Sequence, residues 1–292
     1  MPSSGRPPLD TVTVTGKRAR KEIEHVVNEF VFAVAVRSLQ DSLSRWNRPV
    51  CPLVAGLPKE QGVFVLARLS QIATSVKAPL ADEHCKANFY VLVTPQPEAL
   101  LKQWQARDPR MFDTRNGMGQ LRRLLDTPRA VRVWYNVGFA SSDGRPITSD
   151  SLAGALVGTS FGLNLLMAGI PTNHISMGTR LRYSAVRSLS SVIVVVDANH
   201  VQELSFGQLA DYIGMVGLAE VNQDADVGQV PTILRLFHTT PDLPQGLSAW
   251  DQAFLASLYG VDQASVLEQT MMKRSMVSTL APSSEAKQLP PR

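Results

Sequence analysis

Metal-binding spacings are missing from this sequence. The five histidines, His25, His84, His174, His200 and His238, never fall at i and i+4, and no H-E-x-x-H occurs. The paired-imidazole helix face of a catalytic zinc site is therefore not available. Only two cysteines are present, Cys51 and Cys85, without a C-x-x-C spacing, which removes structural zinc as well. Neither G-x-G-x-x-G after a strand nor G-x-x-x-x-G-K-[ST] is found, so nucleotide-dependent chemistry is not expected. No cofactor follows from these residue types.

Charge of one sign is scarce too. The 29 Lys+Arg residues nearly cancel 25 Asp+Glu, for a net charge of +4, and the one compact basic stretch is Lys17 to Lys21. Arg107, Arg110, Arg115, Arg122, Arg123 and Arg129 lie near Trp104 and Phe112, a mixture that can hold single-stranded nucleic acid. Asp108, Asp113 and Asp126 interrupt that field, so a solvated helix face is expected there and no nucleic-acid partner. Met1 to Asp10 lacks the basic and apolar regions of an export signal; a leader was removed or never existed.

One uncharged stretch tests for a membrane. Ser151 to Thr179 contains no Asp, Glu, Lys or Arg, and Gly154, Gly158 and Gly162 recur at small-xxx-small spacing. The polar Ser151, Thr159, Ser160 and Asn164, and Pro171 at its end, point instead to a Gly-rich loop and helix packed on the domain, with no transmembrane span.

The 292 residues, 44% of them apolar, suffice for a substantial core. Residues 1–18 read as a flexible N-terminal segment, 19–270 as one α+β domain with a C-terminal helical subdomain over about 198–270, and 271–292 as a helical extension and mobile tail. Ile23, Val26, Val27, Phe30, Val31 and Val34 fall at helical spacing. A second helix runs from Pro58 to about Val76, and a third opens near Pro97 and stops before Pro109. Strands are expected at Asn88–Thr94, at Val131–Phe139 with one face buried, at Arg180–Tyr183 and at Ser191–Asp197. Glu203–Val221 reads as a helix whose small residues, Gly207, Ala210, Gly214 and Gly217, require close packing. A last helix is bounded by Ser248, with Asp251 completing a capping box, and by Gly260 as a left-handed stop.

Two motifs bear on chemistry. Gly158-Thr159-Ser160-Phe161-Gly162 matches G-x-S-x-G formally, but Leu152 to Val157 lacks the β-branched strand that precedes a nucleophile elbow. As a serine hydrolase the chain would use Ser160, with Asp197 or Asp242 and His200 or His238 as partners. Asn222 to Gly228 places oxygen ligands at alternating positions like a calcium loop, yet Val227 takes the place of the turn glycine and Ile233 that of the bidentate Glu; a solvated loop is expected. Cys51 and Cys85 each border an apolar run. They either staple two neighbouring segments or remain separate buried thiols.

The last hundred residues resemble a degenerate zincin metallopeptidase. The strand Val192–Asp197 leads into Gln202-Glu203-Leu204-Ser205-Phe206-Gly207-Gln208, then Pro231-Thr232-Ile233-Leu234, then Leu247 to Asp251 through Leu258-Tyr259-Gly260. The resemblance places Glu203 at the family's general-base position, and Gln202 and Phe206 where zinc-binding histidines belong; Tyr212 stands at a third ligand position. It implies a scaffold without metal ligands, in which a lone glutamate cannot perform the hydrolysis. The whole chain is also similar to a group of exported alphaproteobacterial proteins of unassigned activity. Val12 to Lys17, Val50-Cys51-Pro52, Cys85 to Thr94 and Phe206 to Tyr212 carry that similarity. It implies a periplasmic or secreted location and a Cys51–Cys85 bridge. The expectation is thus an α+β fold, a mixed sheet with packed helices, zincin-like without the zinc motif. Its expected work is to bind an unidentified protein or peptide in a cleft near Gln202, Glu203, Phe206, Asp211 and Tyr212, and catalysis is not expected.

Overall fold

A computed structural model describes residues 9–36, 42–112, 118–141, 181–183, 185–238 and 242–281. In chain order these residues form α1 (Leu9–Val34), β1 (Pro52–Ala55), α2 (Lys59–Ser75), β2 (Phe89–Thr94), α3 (Pro97–Arg107) and α4 (Met118–Asp126). There follow β3 (Val131–Ser141), β4 (Ala185–Asp197), α5 (Phe206–Leu218), a 3-10 helix at Ile233–Phe237, α6 (Ala249–Gly260) and α7 (Glu268–Leu280). The four-stranded sheet has the order β1-β2-β4-β3, with β1, β2 and β4 parallel and β3 antiparallel at one edge. The fold is therefore α+β with a mixed sheet and helices packed on it.

Helices cover both faces of the sheet, which decides the strand pattern. Val131, Val133, Val192, Val194 and Val196 join the main core with α1, α2, α5, α6 and α7. Trp134, Ile193 and Val195 turn the other way into a smaller core with Leu101 of α3 and Leu121 of α4. β3 was expected to bury one face; instead Val131 to Trp134 are all buried, because α3 and α4 lie where solvent was assumed. α5 is buried almost all round, as suits a helix under a sheet with others beside it. A Cβ on Gly214 would lie 2.6 Å from Ile72 Cδ1 and one on Gly217 2.0 Å from Phe89 Cζ, so the small residues permit the close approach that their spacing required.

Several boundaries differ from the sequence reading. α1 starts at Leu9, ten residues before the expected Ala19. Once a buried stripe nucleates a helix, each added residue gains a bond at little cost. Arg180–Tyr183 was read as a strand, but Arg182 makes only an isolated bridge to Ser265 while β4 runs unbroken from Ala185. α5 ends at Leu218, since Ala219 and Val221 are drawn into extended bridges with Arg45 and Ala35. Gly260 closes α6 from within the helix and has no positive φ, so it is not a left-handed stop. The Ser248–Asp251 capping box is present.

Cys51 and Cys85 form a disulfide with Cα atoms 6.0 Å apart across a 34-residue separation. It ties the residue before β1 to the segment that enters β2. Asn88 adds to the tie: its side chain accepts from Cys51 N at 2.7 Å and donates to Pro49 O at 2.9 Å. Among the described residues no helix is long and apolar enough to cross a membrane. Ser151–Ile170 lies outside the described residues.

Candidate functional site

The expected cleft residues do not converge. Ser205 is the N-cap of α5: its hydroxyl accepts from Gln208 N at 3.1 Å, and Gln208 Oε1 accepts from Ser205 N at 3.0 Å. This reciprocal capping starts the helix at Phe206, so Gln202 and Glu203 sit in the exposed turn before it and not on its first turn, as was expected. Ser205-x-x-Gln208 was the sequence signal for that start. Phe206 is exposed.

Asp211 is buried and points towards α2. It accepts from Arg68 Nε at 2.5 Å and Nη2 at 3.0 Å, and from Leu247 N at 2.8 Å. Three donors on one carboxylate join α5, α2 and the loop before α6, a structural role, and Asp211 borders neither of the two cavities described below. The next residue, about 100° round the helix, faces elsewhere: Tyr212 packs edge-on against Phe237, with ring centroids 4.8 Å apart.

The backbone groups that pairing with β4 does not use lie instead along β3. Antiparallel pairing to β4 uses the backbone of alternate residues, and the others turn their N–H and C=O outward. Val133 is one of the outward residues, and its partner is a side chain. Gln223 Oε1 accepts from Val133 N at 3.2 Å while Gln223 Nε2 donates to Val133 O at 3.0 Å. One carboxamide thus occupies the place of a residue on a neighbouring strand. Tyr135 is tied down from below, its hydroxyl donating to Val216 O at 2.9 Å and accepting from Val221 N. Burial raises the Tyr135 phenol well above its ordinary pKa.

Two cavities flank this edge. The larger, about 1630 Å³, lies between α1, β3 and residues 220–231, with Trp250 and Lys273 at its border. The smaller, about 800 Å³, lies where the chain enters β3 and is bordered by Arg129, His200, Tyr212, Asp224, Phe237 and His238. Gln223 and Asp224 border both, so the cavities meet at the Gln223 side chain. Two ion pairs stand here: Arg129 Nη2 is 2.6 Å from Asp224 Oδ1, and Arg187 Nη2 is 2.8 Å from Glu220 Oε2. Burial raises the Glu220 carboxyl, with Arg187 opposing that shift. Arg132, fully buried in β3, donates to Glu98 Oε1 at 3.0 Å and Thr127 O at 3.1 Å.

Ser160, with Gly154, Gly158 and Gly162, lies outside the described residues. Two of its conceivable partners do meet, His200 Nδ1 standing 3.0 Å from Asp197 Oδ2. In the acidic loop Asn222 Oδ1 accepts from Asp224 N at 3.1 Å and Asp226 Oδ1 from Gly228 N at 3.0 Å. These oxygens close local turns. Among the described residues no three His, Cys, Asp or Glu side chains gather as a cation-binding group. Comparison with protein-family models, with curated proteins and with solved structures returns no match.

Proposed function

We propose that the chain is a non-catalytic binding protein on a zincin-like scaffold, which holds an extended polypeptide segment against the outer edge of β3. The observation that carries this reading is the Gln223–Val133 pair. A backbone edge whose N–H and C=O are held by a replaceable side chain can exchange that partner for another strand, the usual way in which an extended peptide joins a sheet. The neighbouring cavity of about 1630 Å³ provides room for it. The strand-turn-helix order of β4 and α5, followed by Pro231–Leu234 and α6, supports the scaffold. Against hydrolysis stand the residue types themselves: Gln202 and Phe206 occupy the places of zinc ligands in the resemblance. The Cys51–Cys85 disulfide supports a periplasmic or secreted location.

The capped heptapeptide acetyl-Ser-Thr-Val-Thr-Val-Thr-Ser-amide tests the site. Titrated into the full chain, it is expected to shift the Val133 amide resonance. Since it must displace Gln223, it should bind Gln223→Ala more tightly, by about fivefold, the worth of about 1 kcal/mol for a hydrogen-bonded competitor. A Val133 resonance unmoved at millimolar peptide in both proteins would sink the proposal.

A second reading, a serine hydrolase built on Ser160, has the Asp197–His200 contact in its favour, because a base needs an orienting carboxylate. A fluorophosphonate probe that labels the wild type but not Ser160→Ala would establish it; absence of labelling disposes of it.

A further inference from the structure

Tyr212 is the buried tyrosine whose hydroxyl is left over. Tyr90, Tyr135 and Tyr259 donate to the carbonyl oxygens of Ala87, Val216 and Leu218. The Tyr212 side chain, in a residue only 6% exposed, borders the cavity of about 800 Å³, and its hydroxyl makes no hydrogen bond among the described residues. The hydroxyl is not one of the fully enclosed partnerless polar atoms among the described residues, so it opens to the cavity as an accessible donor. Burial also pushes its pKa up to about 12, so the group keeps its proton and remains a donor.

The charges around it select the partner. An anion entering the cavity meets Asp224 and Asp226, and a cation meets Arg129, whose own charge is already answered by Asp224 at 2.6 Å. A neutral acceptor meets neither penalty. Val131 borders the same cavity, and by the alternation that turns Val133 outward its backbone also faces the free edge. A strand laid along that edge therefore runs off its end towards Tyr212.

We infer that the Tyr212 hydroxyl donates a hydrogen bond to an uncharged carbonyl of the bound chain, which makes the smaller cavity the end subsite of the β3 groove. This rests on the edge-binding reading above and assigns one specific contact within it.

The experiment uses the full chain labelled with ζ-¹³C tyrosine and the same capped heptapeptide. The Tyr212 ζ-carbon resonance is expected to move along the same saturation curve as the Val133 amide. Tyr212→Phe, which keeps the ring against Phe237, is expected to weaken binding about tenfold, the usual order for one hydrogen bond. A static Tyr212 resonance during a Val133 shift, with Tyr212→Phe binding as tightly as wild type, overturns the Tyr212 contact and leaves the edge reading standing. A Val133 amide that never responds overturns the edge reading, and the Tyr212 contact falls with it. Because the ζ-carbon signal is read in the wild type, the proposal stays testable even if the Phe variant folds poorly.

Discussion

The two edges of the sheet are finished in opposite ways. β1 is four residues long, and the residues leading into it are fastened to the segment before β2 by the Cys51–Cys85 disulfide and the Asn88 side chain. β3 is 11 residues long, and Val133 on its outer side is covered by a single carboxamide. A short, fastened edge resists pairing with another chain, whereas a long edge invites it. Protection at β1 is covalent and permanent. At β3 it is non-covalent and replaceable, and that difference is the reason to propose β3 as the working edge.

Removing the β1 fastening should have the largest effect. Cys51→Ala with Cys85→Ala is expected to cost about 3–4 kcal/mol by the loop-entropy relation for a 34-residue separation, measured by urea denaturation. Val133 amide exchange should be unchanged under native conditions. If exchange there accelerates as much as near Pro52, the two edges are one unit and the contrast fails.

The next largest effect is the pH dependence of the contact between α7 and Leu43, in the segment that leads towards β1. Glu268 is buried at the start of α7 and accepts from Leu43 N at 3.1 Å; Arg45 and Asp262 are its charged neighbours. Burial raises its pKa from 4.5 to about 7 against the pull of the Leu43 amide and Arg45. Between these values the folded protein holds a proton that the unfolded chain has released, so stability falls as pH rises through this window. The loss between pH 4.5 and 7 should reach up to about 3 kcal/mol. Glu268→Gln should flatten that slope and raise the urea midpoint at pH 8; a steeper dependence in the variant contradicts the assignment.

Between the edges, Gly217→Ala forces a methyl group to within 2.0 Å of the Phe89 ring in β2. A loss of about 1–3 kcal/mol is expected from overpacking, read as a lower thermal midpoint. The smallest effect belongs to the working edge. Gln223→Ala should cost about 1 kcal/mol and speed exchange of the Val133 amide, while the amides of β2 keep their protection. An unchanged Val133 exchange rate would mean that Gln223 does not cover it.

Legibility followed the range of the interactions. The helix at Ser248 was readable because the two halves of its capping box, Ser248 and Asp251, are three residues apart, and β4 because Val192 to Val196 form an unbroken apolar run. The start of α5 was legible in Ser205 and Gln208 but was masked by the likeness of Gln202-Glu203 to a peptidase motif. Gln223 looked like one more oxygen in an acidic loop; its role depends on Val133, ninety residues earlier in the chain. Asp211 gave no local sign of Arg68, its partner 143 positions away.

Apolar periodicity and capping residues, which act within one or two turns, determined by themselves where most helices and strands lie and that the fold would mix the two. Which strand became an open edge, whose side chain covers it, and that Tyr212 faces a cavity while Asp211 ties helices together were decided only by tertiary structure. Those outcomes depend on which distant segments meet, and no local pattern of residues encodes that.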